Sequence, residues 1–87
     1  MKVEFLSSFN RDIGKLSQSV KNDVAHAIAE VEEATKLAEI GNIKKLKGFK
    51  NVYRIRIGEY RVGLFIEKGT VEFARIVHRK DIYKVFP

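Results

Sequence analysis

The feature that most constrains this chain is a change of hydrophobic period near its middle. Up to residue 38 the apolar positions recur at helical spacing. Phe9, Ile13 and Leu16 form one group; after a Ser17-Gln18-Ser19 break, Val20, Val24, Ala27, Ile28, Val31, Thr35 and Ala38 form a longer stripe. From residue 52 the period falls to two. Val52 to Ile57, Tyr60 to Glu67 and Thr70 to Val77 are each rich in β-branched or aromatic residues, with Gly58-Glu59 and Lys68-Gly69 as tight turns between them. A helical half followed by a three-stranded antiparallel meander must bury its helix stripes on one face of the sheet, so the pattern predicts an α+β fold.

Local signals fill in the rest. Val3 to Leu6 make a short opening strand, Ser7-Ser8 offer hydroxyls for capping the first helix, and Asp12 falls in its first turn. The short break predicts that the two helices run antiparallel as a hairpin with one joint apolar face. Gly41 to Asn51 reads as a lysine-rich loop, and Arg79 to Phe86 as a tail in which Asp81 caps a last helical turn. The sheet face away from the helices is expected to stay open.

Eighty-seven residues make one domain, 1–87. A hydrophobic content of 45% and a charged content of 32% argue against wholesale disorder. No apolar run approaches the roughly 18 residues of a membrane span. The opening Met1-Lys2-Val3-Glu4-Phe5-Leu6 lacks the long apolar stretch of a secretory signal. Cysteine is absent, which removes disulfides and thiolate chemistry and suits a reducing compartment, so the cytoplasm is the expected location. Two distant histidines give no metal-ligand cluster, every serine lies in the first nineteen residues, and neither GxxxxGK[ST] nor GxGxxG occurs. Neither a metal nor a nucleotide cofactor is expected.

The charge is uneven. Residues 1–42 carry five Lys/Arg against seven Asp/Glu, and residues 43–87 carry twelve against four, so the whole surplus of the net +6 sits in the second half. Such asymmetry suits a surface that meets a polyanion, although solubility alone also explains a basic chain.

Alternation along Val52 to Ile57 puts Tyr53, Ile55 and Ile57 toward the helices and Arg54 and Arg56 on the open face. A two-residue turn at Gly58-Glu59 then sets Ile57 against Tyr60, Arg56 against Arg61, Ile55 against Val62 and Arg54 against Gly63. Opposed like charges cost a sheet on the order of 0.2–1 kcal/mol, which a sequence selected for stability alone would avoid. Arg54, Arg56 and Arg61 are therefore expected to form an anion site over a low floor at Gly63, and guanidinium forks suit a phosphodiester. The third strand is undecided by parity: a two-residue turn at Lys68-Gly69 puts His78 on the arginine face and Arg75 toward the helices, and one bulge reverses both. His78 can exchange protons near neutrality and Arg79 adds a donor. Tyr83 is either a functional phenol and stacking surface or, with Phe86, an anchor docking the tail. His26 reads as structural.

Lys45-Leu46-Lys47-Gly48, Val52-Tyr53-Arg54-Ile55-Arg56-Ile57, Glu59-Tyr60-Arg61-Val62 and His78-Arg79-Lys80-Asp81-Ile82-Tyr83, in this order and spacing, resemble the RelE/ParE superfamily of type II toxin-antitoxin toxins. The resemblance covers nearly the whole chain and implies the RelE-like fold and a cognate antitoxin as partner. RelE-type members enter the ribosomal A site and cut mRNA; ParE-type members poison DNA gyrase and lack the catalytic set. On the RelE pattern, Arg61 matches the arginine that supports the transition state, Arg79 the arginine near the end of the last strand, Tyr83 the tyrosine near the tail, and Lys47 a basic residue of the KLxG motif. Arg54 and Arg56 stand where well-studied members have lysines, and the Arg79–Tyr83 spacing is two residues shorter. The implied activity is metal-independent cleavage by a ribose 2′-hydroxyl. Arg56, Arg61 and Arg79 would stabilise the phosphorane, His78 or Tyr83 would move protons, and Lys44, Lys45, Lys47 and Arg54 would hold RNA. A ParE-like gyrase inhibitor and an inactive basic RNA-binding module are the alternatives.

Overall fold

The computed structural model describes residues 1–87. The order is β1 (Lys2–Phe5), α1 (Ser7–Ile13), α2 (Gln18–Glu33), a 3₁₀ turn (Leu37–Glu39), β2 (Ile43–Lys45), β3 (Val52–Ile57), β4 (Tyr60–Glu67), β5 (Thr70–His78) and α3 (Ile82–Val85). The three helices pack against one five-stranded sheet of order β1-β5-β4-β3-β2, in which β1 runs parallel to β5 and the other pairs are antiparallel. No helix is long and apolar enough to cross a membrane.

The expected meander is present in the expected register. Gly58 alone has positive φ in the β3–β4 turn, the type II′ pattern that a two-residue hairpin requires, and Ile57 pairs with Tyr60. The main core joins Phe9 of α1 and Val24 and Val31 of α2 to Ile55, Val62, Leu64, Val71, Phe73 and Ile76 of the sheet. These are the inward positions of strict alternation, with one interruption.

That interruption decides the third strand. Gly63 pairs with Arg75 and Leu64 with Phe73, so Ala74 has no partner and β5 carries a bulge. The Lys68-Gly69 turn is the two-residue one, yet the bulge reverses the parity beyond it: Arg75 lies across from Gly63 and His78 across from Tyr60. Both therefore take the opposite faces from those a regular ladder gives.

The helical half departs from expectation in three places. Asp12 is not a first-turn charge on a helix end. It is 7% exposed and takes Arg75 Nε at 2.7 Å, Arg75 Nη2 at 3.2 Å and the Ile76 N–H at 3.1 Å. Ser8, one turn earlier, does not cap α1 but donates to the Ala74 carbonyl at 2.6 Å. Since β1 pairs only with residues 70–73 of β5, these two side chains serve the edge groups of β5 that β1 leaves unpaired. The second helix stops at Glu33, so Thr35 and Ala38 are not on its stripe. Ala34 turns extended, the Met1 amino group donates to the Val31, Glu32 and Ala34 carbonyls, and Thr35 gives its N–H and hydroxyl to Glu39. Those bonds, the Thr35 N–H foremost, hold the Glu39 carboxyl below its ordinary range. The support is thus present above the ordinary carboxylate value and is lost as pH falls through the lowered one.

The far face of the sheet is not wholly open. Val52, Ala74, Ile82 and Phe86 make a second buried cluster there, with Leu46, Phe65 and Val77 around it. Gly63 therefore does not form a low floor for an anion: a Cβ at that position would meet the Phe86 ring at 2.5 Å. Gly63→Ala is expected to lower stability by about 1–3 kcal/mol, read from the urea midpoint, through overpacking against that ring. Asp12→Ala, which strands Arg75 and the Ile76 N–H, is expected to cost about 3 kcal/mol in the same measurement.

Candidate active site

What the tail leaves uncovered is the end of the far face nearest the β3–β4 turn. Arg56 and Arg61 are direct partners there, and the next row runs from Lys44 through Arg54 and Gly63 to Arg75. Lys44 enters this row because Ile43–Lys45 is a strand, not the loop that its glycine-flanked sequence suggests. It pairs with β3, so the lysine run starts in register with the arginines.

The arginines differ in how they are held. Arg54 Nη1 donates to the Asn42 carbonyl at 3.1 Å, and Arg61 Nη1 folds back to the carbonyls of Gly58 at 2.9 Å and Tyr60 at 3.0 Å. Arg75 is spent on Asp12. Arg79 sits beside Glu59 of the turn, Nε to Oε2 2.8 Å, and its N–H donates to the Glu59 carbonyl. No carboxylate lies within ion-pair distance of Arg54, Arg56 or Arg61. Arg61 is driven below its ordinary pKa by partial burial and then by Arg54, Arg56 and Arg79, with Glu59 opposing. Four guanidiniums thus share one field around Arg61, and an anion placed among them relieves repulsion as well as gaining attraction.

His78 ends β5 on the sheet face opposite Arg56 and Arg61, across from Tyr60, and approaches the site only at the β3–β4 turn. Its ring meets Tyr60 edge-on at 5.9 Å, its Nδ1 accepts the Lys80 N–H at 3.2 Å, and its Nε2 is 3.9 Å from Glu59 Oε2. Tyr83 is elsewhere. It is 65% exposed and lines a groove of about 450 Å³ with Lys44, Lys45, Leu46, Lys47, Phe49, Arg54, Phe86 and Pro87. Of the two tail aromatics only Phe86, 3% exposed, is an anchor. Arg54 belongs to both the groove and the field around Arg61, so the two regions form one basic track. Phe49, 48% exposed, escaped the sequence reading; its signal is an aromatic set within a lysine run.

Residues 3–83 match the family model described as the ParE toxin of the type II toxin-antitoxin system parDE. Toxin RelE3 of Methanocaldococcus jannaschii is 38% identical over 88 residues, spanning all of both chains. The chain belongs to the RelE/ParE superfamily of type II toxin-antitoxin toxins. Its fold follows the toxin of the Methanococcus jannaschii RelB-RelE antitoxin-toxin complex with a TM-score of 0.83 and 34% identity, covering 97% of this chain and 99% of that one. The isolated Escherichia coli RelE toxin shares the fold at a TM-score of 0.71 and 20% identity, over 95% of this chain and 90% of that one.

A single-stranded polyanion on this toxin's basic track is expected to show steep salt dependence. Arg54→Ala should reduce the slope of log affinity against log salt by about 0.7, one phosphate contact's worth, in fluorescence anisotropy with an oligonucleotide.

Proposed function

We propose that this toxin is a ribosome-dependent mRNA endoribonuclease that acts by attack of a ribose 2′-hydroxyl on the adjacent phosphate, leaving a 2′,3′-cyclic phosphate and a 5′-hydroxyl. The observation that carries the reading is the set of guanidiniums around Arg61, of which Arg54, Arg56 and Arg61 have no carboxylate partner. A stable sheet has no need of that arrangement, and charge developing on a phosphorane does. Arg56, Arg61 and Arg79 stabilise that charge, whereas the bulge turns His78 to the helix side of the sheet, where its Nε2 meets only Glu59 of the turn. Lys44, Lys45, Lys47 and Arg54 hold the flanking backbone or ribosomal RNA, and Tyr83 with Phe49 offers stacking surfaces in the groove. The ribosome and its mRNA are cytoplasmic, which agrees with a cysteine-free chain lacking a membrane-spanning helix.

The partner in the resting state is a cognate antitoxin. The similar Methanococcus jannaschii toxin is found in a RelB-RelE antitoxin-toxin complex, and a segment with acidic groups would neutralise the same basic track.

A second reading, gyrase poisoning, draws on the ParE family model that matches residues 3–83. A translation extract programmed with a defined mRNA separates the two. Ribosome-dependent cuts that fall about 10²–10³-fold in Arg61→Ala support the nuclease. DNA breaks on expression, with mRNA intact, support the gyrase inhibitor.

A further inference from the structure

Cleavage by a 2′-hydroxyl needs a group that takes its proton, and the arginines cannot, because guanidinium does not deprotonate in proteins. His78 is poorly placed for the task. Its Nδ1 is occupied by the Lys80 N–H, so the neutral ring carries its proton on Nε2, the edge that faces Glu59. Tyr83 stands in the lysine groove, 65% exposed. One carboxylate remains within ion-pair distance of any of the four arginines Arg54, Arg56, Arg61 and Arg79: Glu59, paired with Arg79.

Glu59 is held from two sides. Its carbonyl accepts the Arg79 N–H at 2.8 Å, and its Oε2 lies 2.8 Å from Arg79 Nε. The Arg79 Nη groups and Glu59 Oε1 make no hydrogen bond within the protein. The pair therefore presents two forked donors for a phosphate oxygen and, next to them, a free carboxylate oxygen. The carboxylate is 64% exposed at the tip of the β3–β4 turn, two residues from Arg61. Charged and titratable groups face it from each neighbouring element: Arg61 from β4, His78 from β5 with the Tyr60 ring behind it, and Arg79 just past β5.

We propose that Glu59 is a catalytic residue, the general base of the site, a role that rests on the ribonuclease reading above. The 2′-hydroxyl proton passes to the Glu59 carboxylate as the 2′-oxygen bonds to phosphorus. The bond from phosphorus to the 5′-oxygen then breaks, that oxygen takes a proton from solvent water, and Glu59 returns its proton to solvent.

The test is single-turnover cleavage on mRNA-programmed ribosomes with the wild type, Glu59→Gln, Glu59→Asp and Arg61→Ala. Glu59→Gln is expected to fold as the wild type does and to cut about 10²-fold or more slowly, with a rate that rises about tenfold per pH unit as hydroxide replaces the lost base. Glu59→Asp should recover part of the rate. Binding to ribosomes carrying mRNA with a 2′-deoxy scissile nucleotide should change less than about twofold in Glu59→Gln, because a base acts on the chemical step and not on binding. Two results overturn the role while leaving the nuclease standing, provided Arg61→Ala is inactive. One is a Glu59→Gln rate within about threefold of wild type on the same pH profile; the other is a loss of binding that accounts for the whole loss of rate, as a mere brace for Arg79 would give. A wild type that cuts nothing removes the ribonuclease reading and this proposal together.

Discussion

The two-residue turn at Gly58-Glu59 sets everything the basic face contains. By fixing Ile57 opposite Tyr60 it places Ile55 and Val62 inward together and Arg56 and Arg61 outward together. A register one residue away would send the arginines into the core, where unpaired guanidiniums are far more costly than the surface repulsion they suffer here. The inward residues thus enforce the outward ones. The repulsion between Arg56 and Arg61, on the order of 0.2–1 kcal/mol, is small beside the burial of the Ile55 and Val62 pair that holds the register.

The same face is split by the chain's last turn. Phe86 lies on Gly63, and Ile82 closes over Val52 and Ala74, so half of the face becomes a second small core and the other half keeps its charges. Packing of the tail and formation of the groove are one event, because Phe86 and Pro87 line the same groove as Lys44, Lys45 and Lys47. Asp12 makes a comparable division at the β5 edge. By claiming Arg75 it removes one guanidinium from the face and leaves four around the turn end.

Strand parity and turn chemistry made the meander, the Arg56–Arg61 pairing and the Arg54–Gly63 pairing readable from the residues alone. The parts that were not readable depend on contacts between distant segments. The Ala74 bulge has no composition signal, and it alone decides the faces of Arg75 and His78. The strand at Ile43–Lys45 is three residues long and exists because β3 offers it an edge; its own lysines and flanking glycine point to a loop. Asp12 looks like a helix-end charge until β5, more than sixty residues later, supplies Arg75 and the Ile76 N–H. Gly63 suggested space for an anion, and the ring that fills it comes from the far end of the chain.

Glu59 illustrates how a turn residue acquires a second meaning. In the sequence it is the residue after the glycine of a hairpin turn and the first of Glu59-Tyr60-Arg61-Val62, and the turn by itself tolerates many residues there. Its backbone is already committed, since its carbonyl takes the Arg79 N–H where β5 leaves the sheet. That bond brings residue 79 to the tip of the β3–β4 hairpin whatever side chains stand at either position. Given that placement, a carboxylate at 59 offsets part of the field of four guanidiniums, while the backbone bond keeps residue 79 at the tip even where the residue at 59 is neutral. The charge that makes the face attractive to phosphate is thus the charge that makes an acid at this one position useful, and the hairpin tip is where the backbone puts it.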